Sequence, residues 1–431
     1  MLTAEKNQLL TQVSAGTPMG ELLRRYWHPI AAVTEFDQSA TKVVRLMGEE
    51  LVLYKDLSGN FGLLERHCSH RGADLVNGFA ERNGLRCSYH GWCYGADGKC
   101  LDQPYEDLAN PKGSYKTKIR HKAYPVEVKA GLLWAYLGPS PAPLLPDWET
   151  FSWKNGFKQI VVSEIPCNWL QCQENSIDPV HFEWTHENWP AAKRGGSGSA
   201  APKHLKLGFD EFEFGLIYRR VREGGSESSD LWTVGRVALW PNCFFLGDHF
   251  EWRVPVDDTT TLSITWVFNR VPRDREPFEQ SRIPHWYGPI KDPDTGRWID
   301  SHVMNQDFIA WVGQGAIADR TREHLGLSDR GVAMLRQRFL ADLGAVSRGE
   351  DPKGLIRDAE KNVCVRLPVV SREQYLSGQT VAELSADPRL NQATPRSYPY
   401  QAGQPEEVRK AYEGAMGFKL QEYDDSLVEN R

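Results

Sequence analysis

The sequence predicts an α+β chain built as a compact β domain followed by a larger domain of helices on a largely antiparallel sheet. Three observations carry this. Short β-type runs separated by Asn, Gly, Asp and Ser fill residues 43–137. A stiff connector with Pro139, Pro141, Pro143 and Pro146 follows, unable to continue a central strand or helix. Beyond it, strand-like runs give way to two helical stretches.

The elements follow in chain order. Leu9 to Trp27 has helical spacing interrupted at Gly16-Thr17-Pro18, after which Met19, Leu22, Leu23 and Tyr26 share an apolar face. An N-terminal helical segment is therefore expected over 1–42. Runs at 43–46, 50–54, 61–65, 124–129 and 132–137 make up the β domain, 43–140. In 141–366, strands are expected at 158–163, 212–222, 231–239, 243–247 and 261–268, with helices from near His302 and over 329–343. The polar, proline-containing 367–431 is expected to cover the second domain or a neighbouring subunit.

Composition bounds the function. The chain has 431 residues, with 40% hydrophobic and 25% charged, ordinary for a folded globular protein. Its net charge of −6 without a long run of either sign argues against a nucleic-acid surface. No stretch approaches 18 uninterrupted apolar residues, and the first 27 residues lack a signal-peptide pattern, so a soluble, cytoplasmic protein is expected. Of eight cysteines, those at 93, 100, 167, 172, 243 and 364 form no disulfide framework and read as reduced thiols.

The other two cysteines carry chemistry. Cys68-Ser69-His70 and Cys87-Ser88-Tyr89-His90 each offer one thiolate and one imidazole, separated by residues 71–86. A Rieske [2Fe–2S] centre takes two Cys on one iron and two His on the other, which two mixed loops can supply. Zinc also accepts two Cys and two His, but zinc fingers usually group like ligands in one arm. Gly72, Gly84, Gly91 and Gly95 flank the ligands and allow tight turns.

A second constellation runs through Glu174, Asn175, Asp178, Pro179, His181 and His186. Five residues along a straight α-helix advance ~500°, leaving two side chains about 140° apart. The two histidines therefore converge only if the helix bends or widens, and Pro179 is a reason for irregularity. Two His and one carboxylate with open positions form the facial triad of Fe(II) and O₂ chemistry. Asp307 is the candidate third ligand, with Asp300 and Asp319 as alternatives.

Together these motifs resemble the oxygenase (α) subunits of Rieske non-haem iron ring-hydroxylating oxygenases, over most of residues 1–345. Tyr89–Trp92, Gly131–Gly138, Gln306-Asp307, Asp319-Arg320 and Glu323 join in the likeness, which is greatest to the phthalate-dioxygenase-type branch. The resemblance implies a catalytic domain of helix-grip type. It implies that Cys68 and Cys87 bind the inner iron of the cluster and His70 and His90 the outer one. His181, His186 and Asp307 would hold the mononuclear iron, and Asp178 would bridge it to a neighbouring subunit's cluster, while also able to cap the segment starting at Pro179. A homotrimer, or a multiple of it, is implied.

The resemblance also implies electrons delivered by a separate ferredoxin or flavin reductase, since no dinucleotide fingerprint is evident here. The expected reaction is O₂-dependent O-demethylation of a lignin-derived methoxylated aromatic acid such as dehydrodivanillate, releasing formaldehyde. Cis-dihydroxylation of a phthalate-like acid is the alternative, and a Rieske electron carrier or redox sensor the alternative of another class. Arg236 is a candidate for the substrate carboxylate, Asn175 for the pocket, and Gly195–Ser199 for a mobile lid.

Overall fold

The computed structural model describes residues 2–196, 199, 201–385 and 399–420. They divide into two compact units. One comprises Gln12–Leu145 with Val254–Asp258; the other comprises the residues up to Thr11, Pro146–Arg253, and the chain from Thr259 onward.

The smaller unit is built of three short sheets. Thr41–Leu46, Glu49–Lys55, Phe61–Glu65 and Ala123–Tyr124 form one, and Phe79–Glu81, Gly84–Arg86, Cys93–Tyr94 and Cys100–Asp102 another. Tight hairpins set the register. Met47 and Gly48, at φ 48° and 78°, join two strands in the primed turn geometry that matches strand twist. The third sheet pairs Leu132–Tyr136 with Val126–Lys129 and Trp27–Ala32, so the N-terminal segment, expected to be helical, includes a strand. Val52, Leu64, Leu75, Leu85, Trp92 and Tyr94 close a core around Cys68 and Cys87.

The larger unit carries an eight-stranded sheet in the order His204–Phe212, Gly215–Arg222, Arg236–Leu239, Cys243–Phe245, His249–Pro255, Thr261–Arg270, Gly156–Ile165, His285–Tyr287. The last pair is parallel, and Gly156–Ile165 runs antiparallel to Thr261–Arg270 over ten residue pairs. Sequence reading missed His204–Phe212, a half-exposed edge strand, although Leu205, Leu207 and Phe209 alternate there with polar residues and glycine. The run 231–239, expected as one strand, splits: Asp230–Thr233 is a helical turn, Gly235 takes φ 80°, and only Arg236–Leu239 pairs in the sheet.

Helices pack on this sheet. Val303–Gly313 buries Met304, Phe308 and Trp311 against Ile165, Cys167 and Cys172. Arg330–Ser347 and, near the C-terminus, Glu406–Met416 are the other long helices, the latter burying Val408, Tyr412 and Met416 against Phe157, Val161 and Trp286. Among the described residues, no helix is long and apolar enough to cross a membrane, and the cysteines are free thiols.

Candidate metal centres

The two Cys/His loops of the smaller unit are near-copies of each other. The Cys68 carbonyl accepts from Gly72 N–H at 2.8 Å, and the Cys87 carbonyl from Gly91 N–H at 3.1 Å. Cys68 N–H donates to Ala73 at 2.9 Å, and Cys87 N–H to Trp92 at 2.8 Å. Both turns need a left-handed residue, and Gly72 and Gly91 supply it at φ 70° and 77°.

These turns separate the ligand types by depth. Cys68 and Cys87 are each 3% exposed, whereas His70 is half-buried and His90 exposed, with ring centroids 4.5 Å apart. The Trp92 ring stacks on His70 at 4.4 Å, and His70 Nδ1 is buried with no hydrogen-bond partner. The Tyr94 hydroxyl lies 3.1 Å from Cys68 Sγ. A buried thiol pair and an outer imidazole pair fit a cluster with Cys on one iron and His on the other. The four ligand atoms do not crowd around a single point, as one tetrahedral zinc would require.

In the larger unit, helix Trp169–Asn175 is capped by Asn168, whose side chain accepts from Leu170 N–H at 3.0 Å. Its Glu174 is buried between Arg320 (2.8 Å) and Arg336 (2.6 Å), and Arg336 also grips Glu323. Asp178 then accepts from Val180 N–H at 2.8 Å, capping the next segment, and its other oxygen lies 3.5 Å from His181 Nδ1.

The expected distortion lies downstream of Pro179, beginning after His181 and running through His186. Trp184–Asn188 is a π-helical turn, with Trp189 N–H bonded to Trp184 C=O, and i→i+5 bonding brings residues five apart onto one side. The His181 and His186 rings stand 5.3 Å apart. Strands hold the turn from outside: Glu183 Oε2 meets His204 Nδ1 at 2.8 Å, and Glu187 takes a forked pair of bonds from Arg222 at 2.6 and 2.8 Å.

Asp307, on Val303–Gly313, completes the group. Its Oδ1 lies 3.4 Å from His186 Nε2 and 3.7 Å from His181 Nε2. Among the described residues, His181, His186 and Asp307 are the one trio of metal-binding side chains whose ligand atoms all lie within 4.8 Å of one another. His186 Nε2, on the side of Asp307, is buried without a hydrogen-bond partner, as a ring nitrogen reserved for a metal would be, while His181 turns Nε2 toward Asp307 and Nδ1 toward Asp178. Burial alone would raise the Asp307 pKa; the charge of nearby His186, then those of His181 and Arg253, outweigh it and hold the group ionised. The donor set suits Fe(II).

The alternative third ligands lie elsewhere: Asp300 pairs with Lys193, and exposed Asp319 accepts from the Thr321 hydroxyl at 2.6 Å. Asn175 is beside the trio, donating to Asp307 Oδ1 at 3.3 Å. Arg236 lies over the Phe182 ring, 5.1 Å from its centroid. Ser197 and Gly198 of the expected lid lie outside the described residues. Sequence reading named Gln306 only as part of the motif, with no role, and missed Arg253. Gln306 Oε1 is 2.9 Å from His186 Nδ1, fixing that ring, and Arg253 is a fully buried charge felt by Asp307. Adjacency to Asp307 was the available signal for Gln306; nothing local marked Arg253.

Paired Cys/His loops in a β unit, and a two-His, one-carboxylate trio beneath a sheet, define a Rieske non-haem iron oxygenase, and the chain belongs to that family. A sequence profile of the Rieske [2Fe-2S] domain matches residues 26–112. The chain is 59% identical over 416 residues to the 5,5'-dehydrodivanillate O-demethylase oxygenase subunit of Sphingobium sp. (strain SYK-6), a match covering 96% of this chain and 97% of that one. It is 29% identical to the phthalate 4,5-dioxygenase oxygenase subunit of Pseudomonas putida, covering 86% and 93% respectively. Its fold matches an oxygenase and ferredoxin complex of carbazole 1,9a-dioxygenase with a TM-score of 0.53 at 21% identity, covering 83% of this chain and 94% of that one. The protein is thus an oxidoreductase whose cofactors are a Rieske [2Fe–2S] cluster and a mononuclear non-haem iron.

Proposed function

We propose that this chain is the terminal oxygenase of a system that O-demethylates a methoxylated aromatic acid of the dehydrodivanillate type. The observation that carries the reading is the 59% identity, over nearly the full length of both chains, to an oxygenase subunit named for that reaction. Cys68, Cys87, His70 and His90 hold the cluster in this reading, and His181, His186 and Asp307 the mononuclear iron. Bound there, the iron supplies O₂ activation next to the substrate.

The balance defines the partners. One O₂, two electrons and two protons convert an aryl methyl ether to its hydroxymethyl ether and water. The hydroxymethyl ether then breaks its C–O bond to give a phenol and formaldehyde. The electrons come from a separate ferredoxin or flavin reductase. Asp178, which touches His181 and caps the turn before it, links the iron site to a cluster in a neighbouring subunit of a homotrimer. Asn175 restrains Asp307, and Arg236 binds the substrate carboxylate. A cytoplasmic location belongs to the same proposal.

Turnover of a panel of aromatic acids with a compatible reductase tests it. Formaldehyde and a phenol from dehydrodivanillate are expected. A cis-diol from a phthalate-like acid, with no formaldehyde from any methoxylated acid, would replace this reading with dihydroxylation.

A further inference from the structure

Strand Gly215–Arg222 pairs antiparallel with Arg236–Leu239, and Tyr218 lies directly opposite Arg236. Residues opposite one another across such a pair share a face, and so does Arg220, two positions beyond Tyr218. Two guanidinium groups therefore stand side by side on this face. Both lie over one ring: Phe182 has Arg220 at 4.7 Å and Arg236 at 5.1 Å from its centroid. That ring is 4.5 Å from the ring of His181 and 5.3 Å from that of His186.

The neighbouring arginines are neutralised. Arg219 pairs with Asp210 at 2.6 Å and Arg222 with Glu187 at 2.6 Å, whereas among the described residues neither Arg220 nor Arg236 has a carboxylate within salt-bridge distance. Arg220 is only 5% exposed, and its Nε is buried without a partner. Burial and the charges of Arg236 and Arg222 lower its pKa to about 10, so it remains a cation at neutral pH. Its position is braced: Nη1 lies 3.4 Å from His204 Nε2, whose other nitrogen meets Glu183 at 2.8 Å. Arg236 beside it is half-buried, and a buried cation with an unused donor, as Arg220 is, is costly unless an anion completes it.

We propose that Arg220 and Arg236 form a single anion site in which a substrate carboxylate is held by both guanidiniums, with the aromatic ring lying against Phe182. This rests on the reading of the substrate as an aromatic acid and adds Arg220 as its second determinant. The methoxyl group is thereby presented to the side of Phe182 that carries His181 and His186. Aromatic acids are selected over their neutral amides.

The test is equilibrium dialysis of dehydrodivanillate and its bis-amide against the holoenzyme and the variants Arg220→Gln, Arg220→Lys, Arg236→Gln and, as a control on the opposite face, Arg219→Gln. Losing a charge-assisted contact of ~1.5–3 kcal/mol weakens acid binding roughly ten- to hundredfold. That loss is expected in Arg220→Gln and Arg236→Gln, with amide binding unchanged, partial recovery in Arg220→Lys and no effect in Arg219→Gln. Equal losses for acid and amide in Arg220→Gln, or none, would overturn the shared site. Weakening in Arg236→Gln alone would also overturn it, while leaving the single-arginine reading. Failure of the reaction itself is read separately, as absence of formaldehyde from the wild-type enzyme.

Discussion

His181 and His186 face the same point because the α-helical turn at His181–Glu183 widens into a π-helical turn, Trp184–Asn188, that carries His186. Their ring centroids are 5.3 Å apart, though a straight α-helix would splay residues at this spacing by about 140°. One extra residue in the turn, held by side chains from the adjoining strands, brings two imidazoles together from a spacing that regular helix cannot use.

The brace on that turn predicts a metal-retention phenotype away from the metal. Arg222→Ala removes both bonds to Glu187, next to His186. Iron affinity should fall about tenfold, the lower end for loss of an outer-shell partner. Metal titration of apoprotein checks this, with the visible cluster spectrum unchanged and Arg222→Lys intermediate.

Tyr94 predicts an effect on electron input. Its hydroxyl, 3.1 Å from Cys68 Sγ, stabilises the more negative, reduced cluster. A hydrogen bond worth about 1 kcal/mol corresponds to ~40 mV in a one-electron couple, so Tyr94→Phe should lower the midpoint potential by about that much in a redox titration.

Legibility followed sequence distance. Cys68, His70, Cys87 and His90 could be read because each loop carries its own ligands and turn glycine, and Asp307 was reachable because a helix pattern surrounded it. The π-helical turn could not be located, since bonds from strands 21 to 35 residues downstream brace it. Arg220 went unnoticed for a similar reason: on its strand it looks like Arg219 and Arg222, and only tertiary structure separates paired from unpaired.

Acid sensitivity follows from His28. It is fully buried, with Nε2 2.8 Å from the Leu23 carbonyl, and burial lowers its pKa to about 4. Between about pH 6.5 and 4 the unfolded state binds the proton that the folded state refuses, so stability falls as pH falls through this window and levels off below it. The loss from this group is about 3 kcal/mol. Thermal unfolding across this range should show a shallower acid decline in His28→Gln than in the wild type.

The central claim, two metal centres in one chain with Asp307 completing the second, is tested most directly by counting iron and labile sulfide in wild type and Asp307→Ala. About three Fe and two sulfides per chain are expected for the loaded wild type. In Asp307→Ala, about two Fe and two sulfides should remain, with an intact cluster spectrum and no turnover. A fully loaded wild type with only about two Fe, or a variant that keeps all its iron and its activity, would contradict the account.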